Sequence, residues 1–435
     1  MYRRLFRSRH GAAMHKKEAG MKQVYHNLCT YSADLFGVNS ALYELGGLLV
    51  MHDASGCNST YNTHDEPRWY TMESMVYVSG LNEKDAILGN DQRLIDDVCA
   101  VAEKEHPKFI GLTRSVLPTY MGTDLKGIAR VIEKRTGIPT FGFPTNGMDS
   151  YVLGAGAAFR AIAERFLPKA QPENHLQDTD GAGRSDASAC AADRIRLNLM
   201  GVTPLDFSVC GNVEALTETM EHAGFEILSN WAMGSTLEDL QQAPAADVSL
   251  VVSVTGLPAA EYLYETYGVP YVLGIPVGRE VTKQLEILIR RAFDTGRNQS
   301  LFALRRTPLP QRDFRECGRK IRIIGEAFHC ASLRCYLEWT YGCRDVSILC
   351  PLERDGGVLR ETDARLSDEA SVADWISEAE VVIADPVYQR VTGPDIRFLK
   401  DPHDAYSGRM YHRIGRRFVG ADADPFPEFH HELQE

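Results

Sequence analysis

Short apolar runs alternate with longer amphipathic or Ala-rich stretches along most of this chain. An amphipathic stretch at 33–45 leads into an apolar run at 47–51, which ends at a Ser-Gly-Cys turn. A buried strand is predicted at 109–112, a helix at 125–136, a strand at 140–143 and an Ala-rich helix at 152–166. Strand, helix, strand with glycines in the loops predicts a parallel sheet flanked by helices.

The alternation restarts twice. Strands are predicted at 197–201, within 247–254 and at 271–275, with helices at 212–223, 258–267 and 281–294. A third set has strands at 320–325, 345–349 and 381–384, with helices at 329–340 and 372–378. The fold class expected is therefore α/β, three Rossmann-like domains with parallel sheets flanked by helices. The expected division is a basic tail at 1–23, domains at 24–168, 194–310 and 311–421, and an acidic tail at 422–435. The segment 169–193 has no apolar period and is rich in Gly, Ser and Asp, which reads as a linker. Pro308 and Pro310 mark the break before the third domain.

Composition narrows the class. A chain of 435 residues with 44% hydrophobic residues has material for several cores. A net charge of -12 argues against a nucleic-acid surface. Ten cysteines in this length are too sparse for a disulfide framework. The basic N-terminus, with Arg3, Arg4, Arg7 and Arg9, is followed by no apolar signal region. No apolar run approaches the ~20 residues of a membrane span. A cytoplasmic location is expected on these grounds.

Cys29 and Cys57 frame the first apolar run. A thiolate at the C-terminal end of a strand is well placed to hold a metal or cluster; two buried structural thiols are the plainer reading. A cubane cluster needs about four ligands, so this pair leaves a cluster half-ligated within one chain. No G-x-x-x-x-G-K-[ST] loop occurs, which excludes this chain as the ATPase. Gly154-Ala155-Gly156 lies inside a helical pattern and reads as helix packing. Cys317, Cys330, Cys335, Cys343 and Cys350 have no ferredoxin or zinc-module spacing and read as buried thiols. Cys210, in Val209-Cys210-Gly211-Asn212, is expected to follow a strand, open a helix and face an interdomain cleft.

Cys29, Gly56-Cys57, His64 with Glu66-Pro67, Ser74-Met75 and the run Glu83-Lys84-Asp85-Ala86-Ile87-Leu88-Gly89 together resemble the first domain of the nitrogenase component 1 family. That family includes the molybdenum-iron protein subunits, a cofactor-scaffold pair and the dark protochlorophyllide and chlorin reductases. The resemblance extends over 24–415. It implies an iron-sulfur cluster on Cys29 and Cys57 at the interface with a paralogous subunit or second copy. It also implies electrons delivered by a separate ATP-dependent iron protein, with no nucleic-acid or membrane partner. Ser115 stands where a third cysteine is common, which favours a [4Fe-4S] cluster over an eight-iron one; Ser115 is either a ligand or a hydrogen-bonding residue. The family's cofactor cysteine falls at Ser253-Val254 and its histidine at His403, beside Tyr406-Ser407-Gly408. A metal cofactor in the interdomain cavity is thereby doubtful, with Cys210 as the substitute thiol. His403 reads as a proton donor, an axial ligand or a structural residue. The function implied is a subunit of a nitrogenase-like reductase. The alternatives are a non-catalytic scaffold for cofactor assembly or a subunit that only completes the interface cluster.

Overall fold

The computed structural model describes residues 26–56, 66–169, 194–304, 318–411 and 417–427. The linker 170–193, the break at 305–317, Cys57 and His64 lie outside them. Three parallel sheets run through the described chain. The first holds β1 (Leu48–His52), β2 (Met75–Val78), β3 (Ile110–Arg114) and β4 (Thr140–Gly142), in the order β2-β1-β3-β4. The second holds β5 (Arg196–Val202), β6 (Glu226–Ala232), β7 (Val248–Val251), β8 (Tyr271–Leu273) and β9 (Gln299–Ser300), in the order β6-β5-β7-β8-β9. The third holds β10 (Lys320–Ile324), β11 (Asp345–Leu349), β12 (Val381–Ala384) and β13 (Arg397–Lys400), in the order β11-β10-β12-β13.

All pairings between these strands are parallel. Their central strands are buried on both faces, so they read as unbroken apolar runs such as Leu48-Leu49-Val50-Met51. Each sheet starts at its second position, steps out to one edge, then returns to build the other side. The order reverses between β1 and β3, between β5 and β7, and between β10 and β12. Ligands of such sheets bind outside the carboxyl ends of the strands at that reversal.

The expected architecture holds. Its misses have physical causes. β6, β9 and β13 escaped because Glu226, Gln299 and Arg397 open edge strands with polar residues, and the edge strand β2 and the helix Asp91–Glu105 were not expected either. The expected amphipathic stretch at 33–45 is a helix, Asp34–Leu42, with nearly every residue buried. It packs between the helix Tyr151–Phe166 and the second sheet. Glycines permit that contact: a Cβ on Gly154 would lie 1.8 Å from the Asp34 carbonyl oxygen, and one on Gly37 2.1 Å from that of Tyr151. The Gly154 pattern is therefore helix packing.

Gly154→Ala forces these two helices apart and is expected to lower unfolding free energy by about 3 kcal/mol, near the top of the overpacking range. Urea unfolding followed by circular dichroism checks it; an unchanged midpoint contradicts the packing argument.

Candidate functional site at the carboxyl edges of the three sheets

In the first sheet, Ser115 directly follows β3 and lies across from the segment leaving β1, donating its N–H to the His52 carbonyl at 3.4 Å. Its hydroxyl is buried and has no hydrogen-bond partner among the described residues. The expected hydrogen-bonding role is thus unfilled there. Cys57 lies five positions beyond β1 in sequence, outside the described residues.

Cys29 lies against the third domain. Its thiol is exposed and donates to the Tyr406 carbonyl at 3.4 Å, a third-domain contact. Partial burial pushes the thiol pKa up, against the lowering effect of that hydrogen bond. The chain then passes Tyr31 and enters the first domain through Asp34. One Asp34 oxygen accepts Asn146 N–H at 2.6 Å; the other accepts Gly147 N–H at 2.9 Å and Leu35 N–H at 2.7 Å. Gly147 in turn packs on Ser115, where a Cβ would meet the Val116 nitrogen at 2.7 Å. Asp34 so couples the Cys29 segment to the Ser115 edge.

The rim of this edge is apolar and exposed. Ile87 and Leu88 after β2, Val116, Leu117 and Tyr120 after β3, and Met148 after β4 are 38–78% exposed. Apolar side chains gathered on one sheet edge form a candidate contact surface.

The second and third reversals converge on each other. Asp206, after β5, has a side chain only 4% exposed. Its Oδ1 accepts the Tyr151 hydroxyl at 2.5 Å; its Oδ2 accepts the Ser253 hydroxyl at 2.7 Å and the Thr203 hydroxyl at 3.2 Å. His403 Nε2 lies 3.3 Å from Asp206 Oδ1, an ion-pair contact without hydrogen-bond geometry. Burial lowers the His403 pKa, but Asp206, Asp385 and Glu326 outweigh it and the net shift is upward. Tyr31 and Tyr151 enclose the ring, with centroids 5.7 and 6.0 Å away. Glu326, after β10, accepts Val254 N–H at 3.0 Å and His329 N–H at 2.8 Å. Asp385, after β12, accepts His403 N–H at 3.0 Å and the Ser407 hydroxyl.

These positions do not fit a large metal cofactor. Ser253 is fully buried and its hydroxyl is spent on Asp206. Both His403 ring nitrogens are buried with no hydrogen-bond partner among the described residues, and Nε2 faces the Asp206 carboxylate. Cys210 is half-buried and follows a short helix, Pro204–Phe207, rather than a strand. Its sulfur accepts the Asn212 side-chain amide at 3.2 Å. Cys330, Cys335, Cys343 and Cys350 are buried, as expected, and burial raises the thiol pKa of Cys330, Cys335 and Cys350. Among the described residues no group of three or more His, Cys, Asp or Glu is arranged to hold a metal ion.

Reading the sequence missed Asp206, Glu326, Asp385 and Tyr151. The available signal was an acidic residue placed just after a buried strand, as in Gly325-Glu326 and Ala384-Asp385.

The fold and edge geometry match a known class. Residues 35–374 match the profile of the family described as Nitrogenase component 1 type Oxidoreductase, and the chain belongs to that family. The nitrogenase iron-molybdenum cofactor biosynthesis protein NifE of Klebsiella pneumoniae is 22% identical over 249 residues, 55% of this chain and 52% of that protein. A light-independent protochlorophyllide reductase polypeptide of Marchantia polymorpha is 23% identical over 317 residues, 68% of this chain and 59% of the relative. The chain spans about half the length of the curated relatives it matches. The solved structure titled nitrogenase Cp1 at pH 6.5 shares the fold, with TM-score 0.63 at 16% identity, covering 93% of this chain and 92% of that one. No helix among the described residues is long and apolar enough to cross a membrane.

Burial, then the charge of Asp206, raises the Glu326 pKa from 4.5 to about 7. The folded state therefore holds this proton more tightly than the unfolded chain. Its stabilising effect is full below pH 4.5 and is lost as pH rises through 7. His403, also raised, acts in the same direction. Glu326→Gln is expected to flatten the fall in stability between these limits, measured by denaturant midpoints across pH. An equally steep fall in the variant contradicts the assignment.

Proposed function

We propose that this chain is the cluster-bearing subunit of a nitrogenase-like reductase. Cys29 and Cys57 supply two thiolates of a [4Fe-4S] cluster, and a second subunit of the same fold, a paralogue or another copy, supplies the rest. A separate ATP-dependent iron protein delivers the electrons. The observation that carries this reading is the exposed Cys29, held against the third domain five residues before Asp34, which is bonded to the first sheet's edge. The Ser115 hydroxyl, without a hydrogen-bond partner among the described residues, adds a buried oxygen donor at the first sheet's edge. When bound, the cluster supplies one-electron chemistry at low potential. The chain's own part begins with the Cys29 proton, which partial burial retains in the metal-free protein and which ligation displaces. Asp34 fixes the entry of this segment, and the apolar rim keeps water from the interface once covered.

The crevice between the second and third domains is filled by Asp206, Tyr151, Ser253 and His403. His403 there faces Asp206 at 3.3 Å, with its pKa raised, despite burial, by that carboxylate. That filling favours a second reading, in which the chain only completes the interface cluster and substrate binds elsewhere in the assembly. The scaffold reading finds support in the likeness to NifE. Turnover by the purified complex with and without this subunit separates these roles.

Cys29→Ala and Cys57→Ala are each expected to abolish the reducible iron-sulfur EPR signal of the anaerobically purified complex while circular dichroism is unchanged. Reduction of the wild-type cluster should require the iron protein and MgATP. Full iron content in the double variant, or equal reduction without nucleotide and iron protein, removes this route. His403→Ala should leave iron content unchanged, within analytical error; loss of iron or of a second metal restores the cofactor site.

A further inference from the structure

Residues 26–31 carry the candidate cluster thiol, yet they belong to no helix or strand. Their order comes from the third domain. Glu369, the first residue of the helix Glu369–Ile376, lies more than 340 positions away in sequence. Its Oε2 accepts three consecutive backbone N–H groups, His26 at 2.8 Å, Asn27 at 2.8 Å and Leu28 at 3.0 Å. Its Oε1 accepts the Asn27 side-chain amide at 3.2 Å. Successive N–H groups converging on one anion form a nest, which fixes the backbone more tightly than a single bond. The side chain of Leu28 enters the third domain's apolar cluster with Val372, Ile376 and Tyr406. Just beyond the thiol, Ser32 N–H donates to the Ala405 carbonyl at 2.6 Å.

We propose that Glu369 is the positioning residue for Cys29, holding from the third domain the peptide that leads into this thiol. The proposal rests on Cys29 being a cluster ligand. Leu28 gives the segment an apolar anchor, but an apolar contact does not fix direction. The carboxylate does, because three donors must point at one oxygen. The residue after the third donor is the thiol. Burial opposes the charge on Glu369, but the N–H groups of Leu28, Asn27 and His26 overcome it and hold the carboxyl at about 2, so the anion persists at working pH.

The clamp is tested on the full-length chain, metal-free and anaerobic. Maleimide labelling of Cys29 and of Cys210 is read by peptide mass spectrometry, with amide exchange at 26–28. Cys210, half-buried in the second domain, reports any general loosening. In Glu369→Ala, which removes four hydrogen bonds, Cys29 labelling and exchange should rise by roughly tenfold or more, tenfold being the ratio expected for one lost charge-assisted hydrogen bond, with Cys210 unchanged. Glu369→Gln keeps one acceptor oxygen and should fall between. If Glu369→Ala does not fold, the glutamine variant is read by the same criterion. Labelling and exchange within twofold of wild type in a folded variant overturn the proposal, as does a parallel rise at Cys210. Assembled with its partner, Glu369→Ala should also show lower cluster occupancy and a shifted midpoint potential; full occupancy at unchanged potential overturns the positioning role. Cluster retention in Cys29→Ala would instead sink the ligand reading while labelling still reports on the clamp, so the two failures are distinguishable.

Discussion

Carboxylates that reach across domain boundaries to backbone N–H and hydroxyl groups hold this molecule in one arrangement. Asp206 gathers a hydroxyl from the first domain, Tyr151, and one from its own, Ser253, with the third domain's His403 at ion-pair distance. Glu326 joins the third domain to the second through Val254 N–H, and Glu353 joins it to the first through Ser150 N–H. Glu44 accepts Gly234 N–H at 2.8 Å between the first and second. A buried carboxylate is tolerated only when its charge is met by donors. Asp206, buried among donors from the first and second domains, therefore demands that the facing domain stay in place, and apolar packing alone makes no comparable demand on direction.

The same constraint separates two kinds of chemistry along the sheet edges. At the first reversal the Ser115 hydroxyl is without a described partner and the rim is apolar, while Cys29 lies exposed against the third domain beside the segment that Asp34 ties to this edge. At the second and third reversals Asp206, Ser253, Asp385 and the His403 backbone bond to one another, while the His403 ring nitrogens are buried with no hydrogen-bond partner among the described residues. One fold thus repeats three times with its ligand-binding crevice put to different use, as expected where chemistry depends on a few residues after each strand.

The path from Cys29 inward is aromatic. Tyr31 packs on Tyr406 at 4.5 Å between centroids and on the His403 ring at 5.7 Å, and Tyr388 stacks on Tyr406 at 5.1 Å. Burial raises the pKa values of Tyr31 and Tyr388, keeping these phenols neutral. The thiol is thus bordered on its inner side by neutral rings, and the charged groups lie beyond them.

The three α/β units were legible in the sequence because buried parallel strands read as apolar runs whatever their surroundings. The strand 345–349 and the helix 125–136 appear at the predicted residues for that reason. Cys29 and Ser115 were legible as candidates because of where they fall in the order of motifs around the first strands. The partners of these residues were not. Glu369 and Cys29, or Asp206 and His403, are separated by whole domains, and no local period records which carboxylate will meet which donor. The burial of the helix Asp34–Leu42 on nearly all sides was hidden for the same reason: its outer face is covered by elements far along the chain. Local sequence determined the elements and the edge on which the chemistry falls. Tertiary structure alone decided which edge stays open and which closes on itself, because burying a charge depends on donors brought from elsewhere.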